Sequence, residues 1–178
     1  MAEKATIYKA NITLSDTDRH YYDDLNLILA LHPSETHERM MVRLLAFCFH
    51  AAARPAFTRG LSSVDEPELW CKSDDGRILH WIEVGQPSVD RLKKASGQSL
   101  SVEVFAYGRG MDIWWQQNRA AIRAMNKVNI HYFAADELQP LVELVEKNMS
   151  LVVTIAESVV YVASGNTTVS LSLLPMPE

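Results

Sequence analysis

Polar and apolar positions alternate over residues 5–14. Tyr8, Ala10, Ile12 and Leu14 point one way, and Lys9, Asn11 and Thr13 the other. A two-residue period marks a strand with one buried face. The turn-forming run Ser15-Asp16-Thr17-Asp18 breaks it. Leu25, Leu27, Leu29 and Leu31 repeat the alternation, so residues 25–31 form a second strand. Past His32-Pro33 the period changes. Met41, Leu44, Leu45 and Cys48 stand at i, i+3, i+4 and i+7, the stripe of a core-facing helix. That helix is predicted from about Glu35 to Ala51, with Ser34 as its cap. Glu38 falls on the same stripe one turn earlier. A carboxylate there stands at the mouth of a buried face, although the helix dipole alone also favours an acid in the first turn.

The middle of the chain reads as a hairpin. Asp65–Lys72 leads into Ser73-Asp74-Asp75-Gly76, a strong turn signal, and Ile78–Val84 returns as a strand. Ser88 then caps a helix from Val89 to about Ser96, and residues 100–107 form a strand. Gly108-Arg109-Gly110 separates it from a helix near Met111–Met125, and Val128–Phe133 is a short strand. Asp136 caps a helix over Glu137–Lys147, with Pro140 near its first turn, where a missing N–H is tolerated. Three strands close the chain, Leu151–Ala156, Val159–Ala163 and Val169–Leu174. The order ββ-α-ββ-α-β-α-β-α-βββ implies an α/β protein: a mixed β-sheet flanked by helices, with the N- and C-terminal strands forming an additional sheet. One domain over residues 1–178 is expected.

Composition narrows the function classes. At 178 residues the chain is long enough for a packed core, and 48% apolar with 22% charged residues is the globular average. Acidic residues exceed basic ones by 22 to 17, a net charge of -5. A tight, sequence-blind nucleic-acid binder is normally basic, so only a local basic patch remains open to that class. Cys48 and Cys71 are the only cysteines, too few for a CxxC…CxxC zinc site, and are expected as buried reduced thiols. Met1-Ala2-Glu3-Lys4 lacks the basic start and apolar run of a signal peptide, and no window approaches a membrane span. A cytoplasmic protein with no membrane contact is expected.

Candidate chemistry gathers at the hairpin. If its turn centres near Asp75, paired residues sum to about 150, and Glu83 lies opposite Pro67 or Glu68 with Asp65 and Glu66 just beyond. Opposed side chains on antiparallel strands stand about 5 Å apart. Carboxylates so placed repel, and a divalent cation relieves the repulsion; Mg²⁺ takes one or two carboxylates and keeps waters for a phosphate substrate. That is an arrangement for metal-assisted phosphodiester hydrolysis. The competing reading is a solvated acidic end. The next helix carries Arg91, Lys93 and Lys94, and long side chains lean toward a helix N-terminus, so a lysine here can reach the acids. Arg54, Arg59, Arg91, Lys93, Lys94 and Arg109 all fall in loops or helix starts and can form the local basic patch for nucleic acid. Trp114 and Trp115 lie about 100° apart around a helix, so one ring outside the core would be free to stack on a base, and core burial of both is the alternative. His32 and His37 flank the Ser34 cap, without a further ligand cluster nearby in sequence.

These residues carry a resemblance. Lys4-Ala5-Thr6-Ile7-Tyr8-Lys9-Ala10, His32-Pro33-Ser34-Glu35-Thr36 with Glu38-Arg39-Met40-Met41, and Phe57-Thr58-Arg59-Gly60-Leu61 are similar to stretches of the YaeQ family of small bacterial proteins. So are Asp65-Glu66-Pro67-Glu68, Trp81-Ile82-Glu83 with Gly85, Lys93-Lys94-Ala95, and Ile113-Trp114-Trp115-Gln116-Gln117-Asn118. The resemblance covers nearly the whole chain. It implies a restriction-endonuclease-like core of the PD-(D/E)XK type, running α-β-β-β-α-β, with a modified motif. Glu83 then takes the place of the E in E-x-K. Asp65 or Glu66 is the acid before the strand, with Glu68 a substitute, and Glu38 resembles the carboxylate of the first core helix. The lysine position is Gly85, so the resemblance assigns the lysine's work to the next helix, to Lys94 or Lys93. The implied function is a nuclease dependent on Mg²⁺ or Mn²⁺ acting on DNA or RNA. Asp65, Glu66 and Glu83 would hold the metal, Glu83, Asp65, Lys94, Lys93 and Glu38 would form the catalytic set, and Arg91 and Arg59 would bind substrate. Gly85 and the acidic net charge motivate the alternative, a non-catalytic member of the fold that binds nucleic acid or protein. A dinucleotide-dependent enzyme has little support: no GxGxxG loop occurs, and Gly108-Arg109-Gly110 alone is too weak.

Overall fold

The computed structural model describes residues 4–178. The extreme N-terminus, where the signal-peptide pattern is missing, lies outside them. In chain order the elements are β1 (Thr6–Asp16), β2 (Tyr21–Leu31), α1 (His37–Phe49), β3 (Ala56–Phe57), β4 (Leu69–Lys72), β5 (Ile78–Val84), α2 (Val89–Gln98) and β6 (Ser99–Ala106). They continue with α3 (Met111–Arg123), β7 (Val128–Tyr132), α4 (Ala135–Val142), β8 (Asn148–Ala156), β9 (Val159–Ser164), β10 (Thr167–Ser172) and β11 (Leu174–Pro175). The chain divides into two compact units. The first comprises the residues up to Ala52 together with Asp136–Leu173, and the second Ala53–Ala135 together with Leu174–Glu178.

The first unit is built on a mixed sheet in the order β10-β9-β8-β1-β2. Strands β1 and β2 pair antiparallel from Thr6↔Leu31 to Asp16↔Tyr21, and β8 runs parallel to β1. The terminal strands thus form their own sheet, as the alternation implies, with Ala10, Ile12 and Leu14 buried beside Leu151, Val153 and Ile155. Strand β2 begins four residues before its leucine alternation. Tyr21–Asp24 carry no burial signal, and the ladder with β1 alone makes them strand.

Two helices of this unit differ from expectation. The cap of α1 is Thr36, whose side chain accepts from the Arg39 N–H, so the helix starts at His37 rather than Glu35. Ser34 instead bonds His32 Nδ1 at 2.7 Å, and the Glu35 N–H donates to the His32 carbonyl at 2.8 Å, which closes a turn before the helix. Helix α4 stops at Val142, short of Lys147, with Pro140 inside it. The chain leaves it through tighter i→i+3 bonds, Leu144 N–H to Leu141 O and Val145 N–H to Val142 O.

The second unit is a mixed sheet in the order β11-β7-β6-β5-β4-β3. The predicted hairpin is β4–β5, paired antiparallel from Leu69↔Ile82 to Lys72↔Ile78 with a register shift between Cys71 and Lys72. Strand β6 runs parallel to β5, and β7 parallel to β6. Trp81, Val102 and Val104 pack with Leu92 and Ala95 of α2 and with Trp114, Trp115 and Ile122 of α3. Ser88 caps α2 by accepting from the Arg91 N–H, as expected. Both tryptophans of α3 are buried, and their N–H groups go to the carbonyls of Pro87 at 3.0 Å and Pro177 at 2.8 Å. Of the two readings of this pair, core burial of both holds, and neither ring stands outward to stack on a base. The helix is covered on two sides, by the sheet and by residues 174–178, and the loop at Pro87 and the segment at Pro177 each give one indole an acceptor. Strands β3 and β11 are too short to leave a periodic signal. Among the described residues no helix is long and apolar enough to cross a membrane.

Candidate functional site

Hairpin register builds the site. Leu69↔Ile82 is its last ladder pair at the open end, and the Glu68 N–H donates to the Ile82 carbonyl at 3.0 Å, which sets Glu68 opposite Glu83. Both carboxylates are buried, each with 3% of its residue exposed. Glu83 Oε1 accepts from Trp81 Nε1 at 2.7 Å and from Arg91 Nε at 2.7 Å. Among the described residues no donor reaches its Oε2. Burial pushes the Glu83 carboxyl above the ordinary glutamate value; Arg91 and the Trp81 bond oppose the shift, and the negative charge of Glu68 adds to it.

Arg91 stands one turn into α2, where the Ser88 cap fixes the backbone. Its Nη1 donates to the Val64 carbonyl at 3.0 Å and its Nη2 to the Glu66 carbonyl at 2.7 Å, so one guanidinium ties the loop before β4 to Glu83. Asp65, exposed, receives Lys94 Nζ at 2.6 Å, and that partner holds its carboxyl below the usual aspartate value. Glu66 accepts from the Arg59 N–H at 3.1 Å and from Arg59 Nε and Nη2 at 3.2 Å each, and it too is held low. Gly60 lets this loop close over the hairpin. Its φ is +53°, and a Cβ there would stand 3.0 Å from Glu68 Oε2.

The structure gathers the expected acids at the hairpin end and then pairs three of them with the chain's own cations. Among the described residues no three His, Cys, Asp or Glu side chains form a group suited to a metal ion. The buried acid facing Glu83 is Glu68, ranked behind Asp65 and Glu66 on sequence. Those two precede the ladder and remain in the loop, at its surface. Of the two lysines, Lys94 reaches an acid, whereas Lys93 is exposed and makes no ion pair among the described residues. Glu38 is half-buried in the first turn of α1, in the other unit. Gly85 has a φ of +93° while its N–H still donates to the Phe105 carbonyl at 2.9 Å. A lysine there would be strained, which is a physical reason for its absence from the strand.

The residues expected to form a basic patch fall into two groups. Arg59, Arg91 and Lys94 are engaged with Glu66, Glu83 and Asp65, and Arg54, Lys93 and Arg109 are the exposed remainder. His32 bonds Ser34, and His37 Nε2 lies 3.0 Å from the Tyr8 hydroxyl, so the two histidines serve separate local contacts. Both cysteines are free and buried, and burial pushes their thiols up to about 12 for Cys48 and about 11 for Cys71, which leaves them unreactive at neutral pH.

The molecule is thus an α/β protein of two mixed sheets with a buried glutamate pair at the end of one hairpin. The family model of the YaeQ protein matches residues 1–173, and the chain belongs to that family. Its relatives include the "Uncharacterized protein YaeQ" of Salmonella typhi, 42% identical over 174 residues that span 97% of this chain and 96% of the relative. The protein of the same description from Escherichia coli K12 is 41% identical over the same shares. The crystal structure of YaeQ from Xanthomonas axonopodis pv. citri superposes with a TM-score of 0.92 at 36% identity, covering 96% of this chain and 97% of that one. That from Pseudomonas syringae gives 0.92 at 40% identity, covering 98% and 97%.

Proposed function

We propose that the chain is a metal-dependent phosphodiesterase acting on nucleic acid. The observation that carries this reading is Glu83, a buried carboxylate that faces a second buried carboxylate, Glu68, and receives both its donors on one oxygen. Two buried like charges in apposition raise each other's energy, and a cation between them offsets that cost. Carboxylate oxygens are hard donors, the chemistry that Mg²⁺ and Mn²⁺ take, so the donor set fits such an ion. When bound, the ion would polarise the phosphodiester and lower the pKa of a water nucleophile.

The chain's own residues supply the rest. Glu83 and Glu68 would hold the ion, while Asp65 and Glu66 are taken up by Lys94 and Arg59 in the loop before the hairpin. Lys94 would exchange Asp65 for a phosphate oxygen and steady the charge that develops there, the task Gly85 cannot perform. Arg91 and Arg59 would bind the phosphate backbone, and exposed Lys93 would add to its attraction. The chain order α1-β3-β4-β5-α2-β6 supports the reading, because it is the α-β-β-β-α-β order of the nuclease core that the sequence resembles.

One specific observation favours a second reading. Arg91 on Glu83 and Lys94 on Asp65 already neutralise the carboxylates, as they would in a non-catalytic member of the fold that binds nucleic acid or protein. Calorimetric titration with Mn²⁺, paired with a cleavage assay on single-stranded DNA, duplex DNA and RNA, separates the two. The first reading expects Mn²⁺ uptake and cleavage that both disappear in Glu83→Gln. A folded wild-type chain that takes up no Mn²⁺ at millimolar concentration leaves only the second reading. Cleavage that survives Glu83→Gln belongs to a contaminant or another site.

A further inference from the structure

The chain has four tryptophans, all in the second unit, and they are not held alike. Trp81, Trp114 and Trp115 are buried, and each donates its indole N–H within the protein, to Glu83, to the Pro87 carbonyl and to the Pro177 carbonyl. A large ring with a polar tip usually finds both cover and a partner in this way. Trp70 departs from the pattern. It is only half-buried, and its N–H makes no hydrogen bond among the described residues.

Its backbone is fixed all the same. Trp70 pairs with Ala56 of β3 on one side and with Trp81 of β5 on the other, so it sits inside the sheet rather than at its edge. Side chains two apart on a strand share a face, which puts the ring on the face of Glu68, about 6.6 Å further along the strand. Ala56 is small and exposed and leaves that flank of the indole open. Over the ring stands Lys72 Nζ, 3.9 Å from its centroid. Lys72 is itself exposed, and after the Arg59 bonds its charge helps to hold the Glu66 carboxyl low. An open aromatic face, a loose ammonium and the Glu68–Glu83 pair therefore stand in a row about one nucleotide long.

We propose that Trp70 is a stacking platform for one unpaired base, with Lys72 on the adjoining phosphate, and that the nucleic acid served by the hairpin end is single-stranded. The proposal names the substrate class of the carboxylate site and rests on the phosphodiesterase reading for its link to cleavage. An indole accepts any base, because every base has a π-face. A base inside a duplex has both faces covered by its neighbours, and a ring fixed in a sheet reaches it only after it leaves the stack. The exposed contact between ammonium and ring is weak, so Lys72 can exchange it for a phosphate. Stacking also supplies affinity that a chain of net charge -5 does not draw from electrostatics.

The test is run in EDTA, where metal-dependent cleavage is silent. The probes are fluorescein-labelled single-stranded dodecamers of thymidine or of uridine, and a duplex of the same length. Anisotropy should show a single strand bound more tightly than the duplex, and the tighter of the two dodecamers names the sugar. Trp70→Ala should weaken that binding about tenfold, whereas Trp70→Phe, which keeps a ring, should stay within about twofold of the wild type. Unlabelled dodecamer should quench the indole emission of the wild type and leave that of Trp70→Phe unchanged, since its three remaining tryptophans are buried. A folded wild type that binds neither dodecamer overturns the proposal, as does a duplex bound as tightly as a single strand or a folded Trp70→Ala of undiminished affinity. Should Trp70→Ala fail to fold, quenching decides: a dodecamer that saturates the anisotropy without dimming the wild-type indoles ends the proposal. A parallel assay with Mn²⁺ separates the two readings. Cleavage by a chain whose single-strand affinity ignores Trp70→Ala overturns the platform alone. Trp70-dependent binding without Mn²⁺ uptake supports the platform and overturns the hydrolytic reading.

Discussion

Each unit buries a glutamate against arginine, and the two are held in opposite ways. In the first unit Glu35 Oε2 accepts from Arg39 Nη1 at 2.6 Å and from Arg43 Nε at 2.8 Å, while its Oε1 accepts from Arg43 Nη2 at 2.7 Å. Arg43 also donates to the Ala30 carbonyl at 3.1 Å, so the network ties α1 to β2. In the second unit Glu83 receives both donors on a single oxygen and faces another carboxylate. A carboxylate with both oxygens engaged is a structural tie, and its lone pairs are committed to neighbours. One with an oxygen left over, raised in proton affinity by burial, can still take a cation or a proton. Function is therefore sought at Glu83, and fold stability at Glu35.

That contrast can be broken at several points. The largest expected effect is at Glu35. Glu35→Gln removes one partner from a buried pair and should cost about 3–5 kcal/mol, read as a lower urea midpoint. A cost near that of a surface substitution would show that the tie is not structural. Next is Gly85→Lys, which forces a β-carbon into a positive-φ position and should cost about 1–2 kcal/mol by thermal unfolding. It should add no Mn²⁺-dependent cleavage, because the backbone there has already turned out of the strand.

Smaller is the pH dependence at Glu83. Its folded-state proton affinity lies above the ordinary value of 4.5. The stability that follows is fully present below that value and is lost as pH rises through the raised folded value. Denaturation of wild type and Glu83→Gln from pH 4 to pH 7 should therefore show the variant gaining on the wild type as pH increases. The opposite slope would mean that Arg91 outweighs burial. The smallest effect is at Asp65, whose pair with Lys94 is exposed. Asp65→Asn should leave the unfolding midpoint unchanged within error. The Asp65 carboxyl, held below 3.8, stabilises above that value and stops doing so as pH falls through its lowered one. An NMR titration should therefore find it rising toward 3.8 in Lys94→Met.

Much of the second unit was legible in the chain. Asp75-Gly76 between two apolar runs located the hairpin, a residue sum near 150 brought Glu83 to Glu68 or its neighbour, and Ser88 marked the start of α2. Motif spacing puts Asp65 and Glu66 above Glu68 as partners of Glu83, because it counts residues and does not see where a ladder ends. Ser34 has the chemistry of a helix cap in the sequence, and the cap falls to Thr36 because Ser34 and Glu35 are taken up in the turn at His32. Core burial of both α3 tryptophans is one of two readings the helix pattern allows, and the contact that decides it for Trp115 comes from 62 residues further along the chain.

Element type, the two-residue period of β1, the hairpin and the membership of the YaeQ family were determined by the sequence alone. The first three depend on backbone geometry and turn chemistry within a few neighbouring residues, and the family on a match that runs over residues 1–173. Which acid meets which base, which lysine reaches the hairpin end and what covers the third helix were decided only by tertiary structure. Those contacts join segments distant in the chain, and their distances follow from strand register and packing that no local pattern encodes.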